Sequence, residues 1–197
     1  MKVYLIFLFL FIANDINAQI NFGAKGGWNL TTLKINSEEG GSCSSKSSFN
    51  AGILASIPFK NGMSFQPEVY YSEQGANYYV YQIGNGQYDI QMINIPLTFK
   101  YLTSSRLYVE TGPQIGFLVT GTEYLNPYPS KNIKNQFNNA DLSWLFGIGY
   151  QTKKNFGVDI RYNQGLTNFA KSYQNTIGSN IFKNIVFQID IFHFFKI

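Results

Sequence analysis

Few side chains in this sequence could carry out chemistry, and they lie far apart. His193 is the only histidine, and Cys43, in a Ser/Gly-rich stretch with no histidine near it, is the only cysteine. A nucleophile needs an adjacent base, and a metal site needs several converging ligands. Neither pattern is present, so we expect no catalytic residue, no metal and no cofactor. His193 is expected at the periplasmic membrane interface, and Cys43 is expected to be an ordinary surface thiol.

The second group of residues that could carry chemistry is charged. These side chains recur at alternate positions of short segments. Asp159 and Arg161 are two residues apart and face the same way on a strand, which suits an ion pair better than an acid/base dyad. The same parity predicts an inward charge network of Lys25, Glu68, Lys100, Glu110, Asp159, Arg161 and Asp190. Since an unpaired buried charge is costly, we expect these side chains to pair and fill the interior. A proton or ion path is the alternative.

The elements that would position these charges are eight segments with apolar residues on one parity and polar residues on the other. They lie at about 20–30, 49–59, 64–72, 93–101, 107–120, 141–150, 156–163 and 185–197. Connections 60–62, 102–105 and 152–155 are short, whereas 31–48, 75–87, 121–139 and 166–183 are long. This pattern predicts an all-β fold: an eight-stranded antiparallel up-and-down transmembrane β-barrel with short periplasmic turns and four long extracellular loops.

Two features of the alternation need an explanation. Tyr88, Ile90 and Met92 have the opposite phase to the strand that follows them. A bulge near Met92-Ile93 would explain the change, as would an extension of this segment above the membrane. The outward parity is apolar throughout, whereas a soluble lipocalin-like barrel has a polar outer side. If this chain were a soluble barrel, its outer side would expose an enormous apolar patch to water.

The N-terminus indicates export. Lys2 is followed by the apolar run Val3–Ile12 and a short polar segment, which predicts a cleaved signal peptide at 1–18 and a single barrel domain at 19–197. An uncleaved N-terminal anchor is the alternative. The net charge of +4 comes without a Lys/Arg cluster, so nucleic-acid binding is not expected. Together these features predict an outer-membrane location.

The chain resembles the PorT-like outer-membrane β-barrel family of Gram-negative bacteria. The resemblance lies in four motifs, which are the opening Phe22–Asn29, the segment Phe65–Ser72, Ile95-Pro96-Leu97 and Gly112-Pro113. They describe barrel construction rather than chemistry. Some members of that family are implicated in protein secretion, so the resemblance implies an accessory role in secretion as one candidate function.

The remaining expectation is a non-enzymatic, monomeric outer-membrane barrel with a plugged, charged lumen. Its partners would be the lipid bilayer and an envelope protein or glycan bound through the surface loops. Tyr78, Tyr79 and Tyr81 are candidate contact residues in the second long loop, although they could equally extend the hairpin above the membrane. The alternatives are a secretion accessory protein and a barrel enzyme.

Overall fold

Strands form where apolar and polar side chains alternate. The structure, a computed structural model, describes residues 20–36, 43–80, 83–171 and 181–195, so the predicted signal peptide and Tyr81 lie outside the described residues. The described strands are β1 (Asn21–Asn36), β2 (Cys43–Pro58), β3 (Met63–Val80), β4 (Gly84–Leu102), β5 (Leu107–Leu125), β6 (Tyr128–Asn132), β7 (Ala140–Gln151), β8 (Phe156–Gly165) and β9 (Ile181–Phe194).

Eight of these strands close into a ring of antiparallel neighbours. The order is β1, β2, β3, β4, β5, β7, β8 and β9, and β9 pairs with β1 from Gly23↔Phe194 onwards. The short β6 pairs only with the end of β5, which it extends as a hairpin. The predicted eight-stranded up-and-down barrel is confirmed. Closure matters because it leaves no unpaired edge among the eight strands.

Each barrel strand turns one side outward and the other into the lumen. In β8, Phe156, Val158, Ile160 and Tyr162 are exposed, and Gly157, Asp159, Arg161 and Asn163 are buried. The other barrel strands also expose large apolar side chains, and together these form a belt of Phe, Trp, Ile, Leu, Val and Tyr. Among the described residues no helix is long and apolar enough to cross a membrane.

Residues with positive φ make the tight turns at one end of the barrel. Asn61 (φ 64°) and Gly62 (φ 79°) turn the chain between β2 and β3. In the two turns that follow, a threonine hydroxyl donates to the carbonyl four residues on, from Thr103 to Leu107 and from Thr152 to Phe156. These short connections agree with the predicted periplasmic turns.

The strands are longer than the alternation predicted. β1 to β5 have 16 to 19 residues, whereas β7 has 12 and β8 has 10. The predicted loop 75–87 is mostly strand, because β3 and β4 stay paired up to Val80↔Gly84. Beyond the apolar belt the alternation fades, but backbone pairing continues without it. The barrel therefore has a taller wall on the β1 to β5 side.

Ile90 and Met92 do not need a bulge in β4. They are buried on the same side as Asn94, so β4 keeps its parity, and the register shift falls on β5, where Val119 is the extra residue opposite Gln91-Met92. The inverted phase instead reflects a change inside the barrel. At this height the interior is apolar, as described below.

Candidate functional site

Arg161 is the centre of an ion cluster inside the lumen. Its Nη1 and Nη2 donate to the two carboxylate oxygens of Glu68, both at 2.7 Å, in a bidentate pair that joins β8 to β3. Its Nε lies 2.7 Å from Glu110 and 3.2 Å from Asp159. The side chains of all four residues are at most 1% exposed to solvent. One guanidinium therefore contacts three carboxylates, from β3, β5 and its own strand β8.

Lys25 extends this cluster across the barrel. Its ammonium lies 2.7 Å from Asp190 and 3.3 Å from Glu68, so Glu68 is shared by both cations. The structure thus brings together six of the seven charges predicted to face inward. The cluster has four carboxylates and only two cations. Neutral groups donate hydrogen bonds to the carboxylates as well. Tyr108 donates to Asp159 (3.1 Å), and Asn50 donates to Asp190 (2.7 Å).

Lys100 is the member that the structure places elsewhere. Within the described residues it takes part in no ion pair. Its ammonium instead lies 3.6 Å from the ring centroid of Tyr108 and 4.8 Å from that of Phe192, and it donates to Gln151 (3.0 Å). The expectation that Lys100 pairs with a carboxylate is wrong. The aromatic rings at this end of the lumen satisfy the cation through their π faces.

An amide layer covers the ion cluster on its extracellular side. Asn29 accepts from Asn50 (2.8 Å) and from Gln188 (3.0 Å), which joins β1, β2 and β9. Tyr70 reaches from β3 to Gln114 on β5, with its hydroxyl donating at 2.7 Å. A cavity in this polar part of the lumen measures about 10 Å³, which is about the space that one water molecule needs.

Apolar clusters lie at both ends of the lumen. The periplasmic cluster consists of Leu54, Tyr108, Phe192 and Phe194, which explains why Leu54 breaks the polar parity of β2. The extracellular cluster consists of Leu33, Ala76, Ile90, Met92, Leu118, Ile133, Phe137 and Phe169. Its last three members come from the connections after β5 and β8, and the rings of Phe137 and Phe169 stack at 4.9 Å. The loops therefore fold inward over the barrel.

A cavity of about 540 Å³ opens at the extracellular rim, lined by residues of the β3–β4 hairpin, the start of β2 and the β5–β6 turn. Tyr78 and Tyr88 stack with their centroids 4.7 Å apart, and the Tyr78 hydroxyl donates to Glu123 (2.6 Å). Gly86 lies opposite Tyr78, where a Cβ would approach the ring to 2.2 Å. The absence of a side chain at Gly86 lets the Tyr78 ring lie flat across β4.

Burial and the Glu123 carboxylate keep this rim tyrosine pair neutral. Burial first, and then the hydrogen bond to Glu123, raise the pKa of Tyr78 well above that of an ordinary phenol. Burial and the negative charge of Glu123 raise the pKa of Tyr88 to about 12. Both hydroxyls therefore remain hydrogen-bond donors through the physiological range. They form a fixed part of the hairpin rather than a titrating site.

His193 and Cys43, the two residue types considered for chemistry, are not arranged for catalysis. His193 faces outward near the short turns, stacked on Phe156 at 4.1 Å. Cys43 is half-buried at the start of β2 beside the extracellular apolar cluster, and burial raises the pKa of its thiol, which disfavours the reactive thiolate. In the described part of the chain, no group of three or more His, Cys, Asp or Glu side chains could hold a metal ion.

Of the three candidate tyrosines, Tyr78 and Tyr79 line the rim cavity and Tyr81 lies outside the described residues. Tyr124 lies in the predicted surface loop 121–139, and the β5–β6 hairpin carries it to the same cavity from 46 positions further along the chain than Tyr78. Sequence reasoning missed the inward role of Ile133, Phe137 and Phe169. Isolated large apolar residues within polar loops were the available signal.

A family model described as an outer membrane protein beta-barrel domain matches residues 13–171. The chain belongs to this family. An outer-membrane barrel must sit in the lipid bilayer of that membrane, and the apolar outer belt described above is the surface that contacts lipid. The predicted outer-membrane location is thereby confirmed. The family description covers no more specific subgroup and no activity.

Several solved outer-membrane proteins are similar to this barrel. Neisserial surface protein A (NspA) is 15% identical, with a TM-score of 0.52 over 88% of this chain and 97% of that chain. Ail, the attachment invasion locus protein of Yersinia pestis, is 11% identical (TM-score 0.49, 90% and 99% covered), and OprG from Pseudomonas aeruginosa is 13% identical (TM-score 0.45, 91% and 98% covered). The likeness to NspA supports the fold alone. No curated protein matches the chain.

Proposed function

We propose that this outer-membrane barrel is a monomeric, non-enzymatic binding protein with a plugged lumen, which acts through its extracellular loops. The observation that supports this most directly is the layering of the interior. A buried ion cluster centred on Arg161 lies between two apolar clusters, and the loops contribute Ile133, Phe137 and Phe169 to the outer one. Solutes would have to break these contacts to pass.

The absence of a pore is testable in planar lipid bilayers with the folded mature chain. We expect no discrete conductance steps, because eight-stranded barrels have lumens filled by side chains. A variant that exchanges Ile133, Phe137 and Phe169 for serine serves as a control, since it weakens only the outer apolar cluster. Steady single-channel currents from the unmodified protein would contradict the plugged lumen.

The loop-based role is testable by affinity capture from intact envelopes. Replacing 124–137 with a Gly/Ser linker should abolish capture of the partner, because this segment supplies one wall of the rim and part of the apolar cover. The matched control is Lys153→Ala with Lys154→Ala, which changes a turn at the opposite end of the barrel. If both proteins captured the same partners as the unmodified chain, the loops would not be the binding surface.

The PorT-like resemblance supports a second candidate, an accessory role in protein secretion. One of its motifs, Phe65–Ser72, supplies Glu68, the carboxylate that joins Arg161 to Lys25. If this role applied, deletion of the gene would impair export of other proteins, and the barrel would co-purify with further envelope components. Normal export in the deletion strain would exclude it.

A further inference from the structure

We propose that the extracellular rim cavity binds an uncharged carbohydrate. This inference rests on the proposed loop-based function and gives it a ligand class. The cavity has about 540 Å³, which lies within the range typical of small-ligand sites. It is lined by residues beyond the apolar belt, where the hairpins β3–β4 and β5–β6 rise above the membrane.

The hairpin that carries most of the cavity lining is fixed before any ligand arrives. The Tyr78 ring is held by stacking on Tyr88, by its hydrogen bond to Glu123 and by the space above Gly86. Backbone pairing from Asn77↔Gln87 to Tyr79↔Asn85 holds the two strands beneath it. A site that is already ordered loses little conformational freedom on binding, which leaves more of the contact energy for affinity.

The mouth of the cavity offers two open aromatic faces. Tyr79 is 66% exposed and Tyr124 is 48% exposed, and they approach the cavity from different hairpins. Tyrosine presents a flat apolar face and a polar tip. A pyranose ring has the complementary form, with apolar C–H faces and hydroxyl groups at its edge.

The polar lining consists mainly of side-chain amides. Asn85, Gln87 and Asn126 line the cavity, and their side chains donate no hydrogen bond to another group of the described residues. Each amide has two donors and an acceptor carbonyl, so it can bind hydroxyl groups in either direction. A purely apolar ligand would leave these groups unpaired at a cost.

The charges near the cavity disfavour an anion. None of the described residues that line it is Lys, Arg, Asp or Glu, and the charged group bonded to the lining residue Tyr78 is the carboxylate of Glu123. Recognition of sulfate, phosphate or carboxylate groups normally uses Arg or Lys. A neutral, hydroxyl-rich ligand is the class that satisfies both the aromatic faces and the amides.

The test is a glycan array probed with the full mature chain, folded in a detergent without a sugar headgroup so that the detergent cannot compete. The array carries neutral oligosaccharides beside sulfated and carboxylated ones. Neutral glycans should bind. Tyr79→Ala and Tyr124→Ala should each weaken binding at least about tenfold, as loss of a central aromatic contact does. Tyr124→Phe should bind nearly as well as the unmodified chain, because it keeps the aromatic face.

The matched control is Tyr128→Ala, since Tyr128 is 60% exposed on β6 but does not line the cavity. Its binding should change less than twofold, and retained heat-modifiable migration on gels verifies that every variant is folded. Binding of anionic glycans alone, of no glycan, or equally by all variants would overturn the proposal. If glycans failed to bind while the 124–137 replacement still abolished protein capture, the loop-based function would stand without the carbohydrate. If capture were also unaffected, both would fall.

Discussion

Arg161 shows how one side chain can organise the interior of a barrel. It contacts Glu68, Glu110 and Asp159 while being 1% exposed, so its charge has no access to water. Removing a buried cation leaves its carboxylate partners uncompensated, which costs far more than the pair itself contributes. The contribution of this residue to stability should therefore be large and specific.

Arg161→Ala and Glu110→Ala should both destabilise the barrel. We expect Arg161→Ala to lower the free energy of unfolding by about 3–5 kcal/mol, and Glu110→Ala by less, because Arg161 keeps two other carboxylates. Urea unfolding of the detergent-folded variants measures this difference. Ser45→Ala, at an exposed position on β2, is the control. Behaviour of both lumen variants like the control would show that the ion cluster does not stabilise the fold.

Lys25 and Lys100, two of the buried lysines, should lose different amounts of stability on the same substitution. Lys25→Met would leave Glu68 and Asp190 without one cation, so we expect a loss of about 3 kcal/mol or more. Lys100→Met replaces an ammonium surrounded by aromatic rings with a side chain that packs well against them, and it loses about 0.5–2 kcal/mol of cation–π attraction at most. Equal losses for the two variants in the same unfolding assay would contradict this assignment of partners.

At the scale of the strand, close approach inside the barrel depends on particular glycines. Gly52 on β2 is paired with Tyr70 on β3, and a Cβ at Gly52 would come within 2.3 Å of the Tyr70 Cβ and the Val69 carbonyl. Gly26, on the neighbouring β1, has only the Asn50 carbonyl nearby, at 3.6 Å. The first glycine is required by packing, and the second is not.

Gly52→Ala should therefore destabilise the β2–β3 pairing, whereas Gly26→Ala should have little effect. The clash involves backbone and Cβ atoms that cannot rotate away, so we expect about 1–3 kcal/mol for Gly52→Ala, as in overpacked cores. Comparison of the unfolding midpoints of the two variants is the measurement. An unchanged midpoint for Gly52→Ala would mean that the two strands can separate without cost.

Lipid-facing positions of the strands can be probed by charge. Ile160 on β8 is 43% exposed and is paired with Ile148 and Ile189, in the middle of the apolar belt. Ile160→Arg should make membrane insertion less favourable by about 2–4 kcal/mol, because arginine is costly at the bilayer midplane. Tyr128→Arg, beyond the belt, is the matched control. Folding into vesicles with equal efficiency would place Ile160 outside the bilayer.

The alternation of side chains predicted the ring of strands, but not their length or their inner partners. Strand periodicity is visible where one side meets lipid and the other a polar lumen, so Ile160 and Arg161 were assigned to their sides from sequence. The extension of β3 and β4 to Val80 and Gly84 has no such contrast. Parity also could not reveal that Arg161 meets Glu68, 93 positions away, because that depends on the stagger of strands around the barrel.

The rim site depends on features that no single segment contains. Tyr79 and Tyr124 come together only because two hairpins continue above the membrane, side by side through the pairing of β4 with β5. The apolar residues Ile90 and Met92 were the one sign in the sequence that the interior changes character at this height. Their partners Ile133, Phe137 and Phe169 lie in loops, where isolated apolar residues do not reveal which part of the barrel they pack against.

For the whole molecule, the start of β1 bears on how the exported chain is processed. The Phe195 amide donates to the Phe22 carbonyl (2.7 Å), and Gly23 pairs with Phe194, so the ring closes at the first residues of the predicted mature chain. Cleavage after Ala18 would leave only Gln19 and Ile20 before β1 begins at Asn21. N-terminal sequencing of the protein from outer-membrane fractions should therefore begin at Gln19.

A variant with a charged residue in the apolar run, Leu8→Arg, should block export, whereas Asn14→Ser should not, because export signals need an unbroken apolar segment. Recovery of the chain with Met1 intact in the outer membrane would show that the N-terminal segment is retained as an anchor rather than removed.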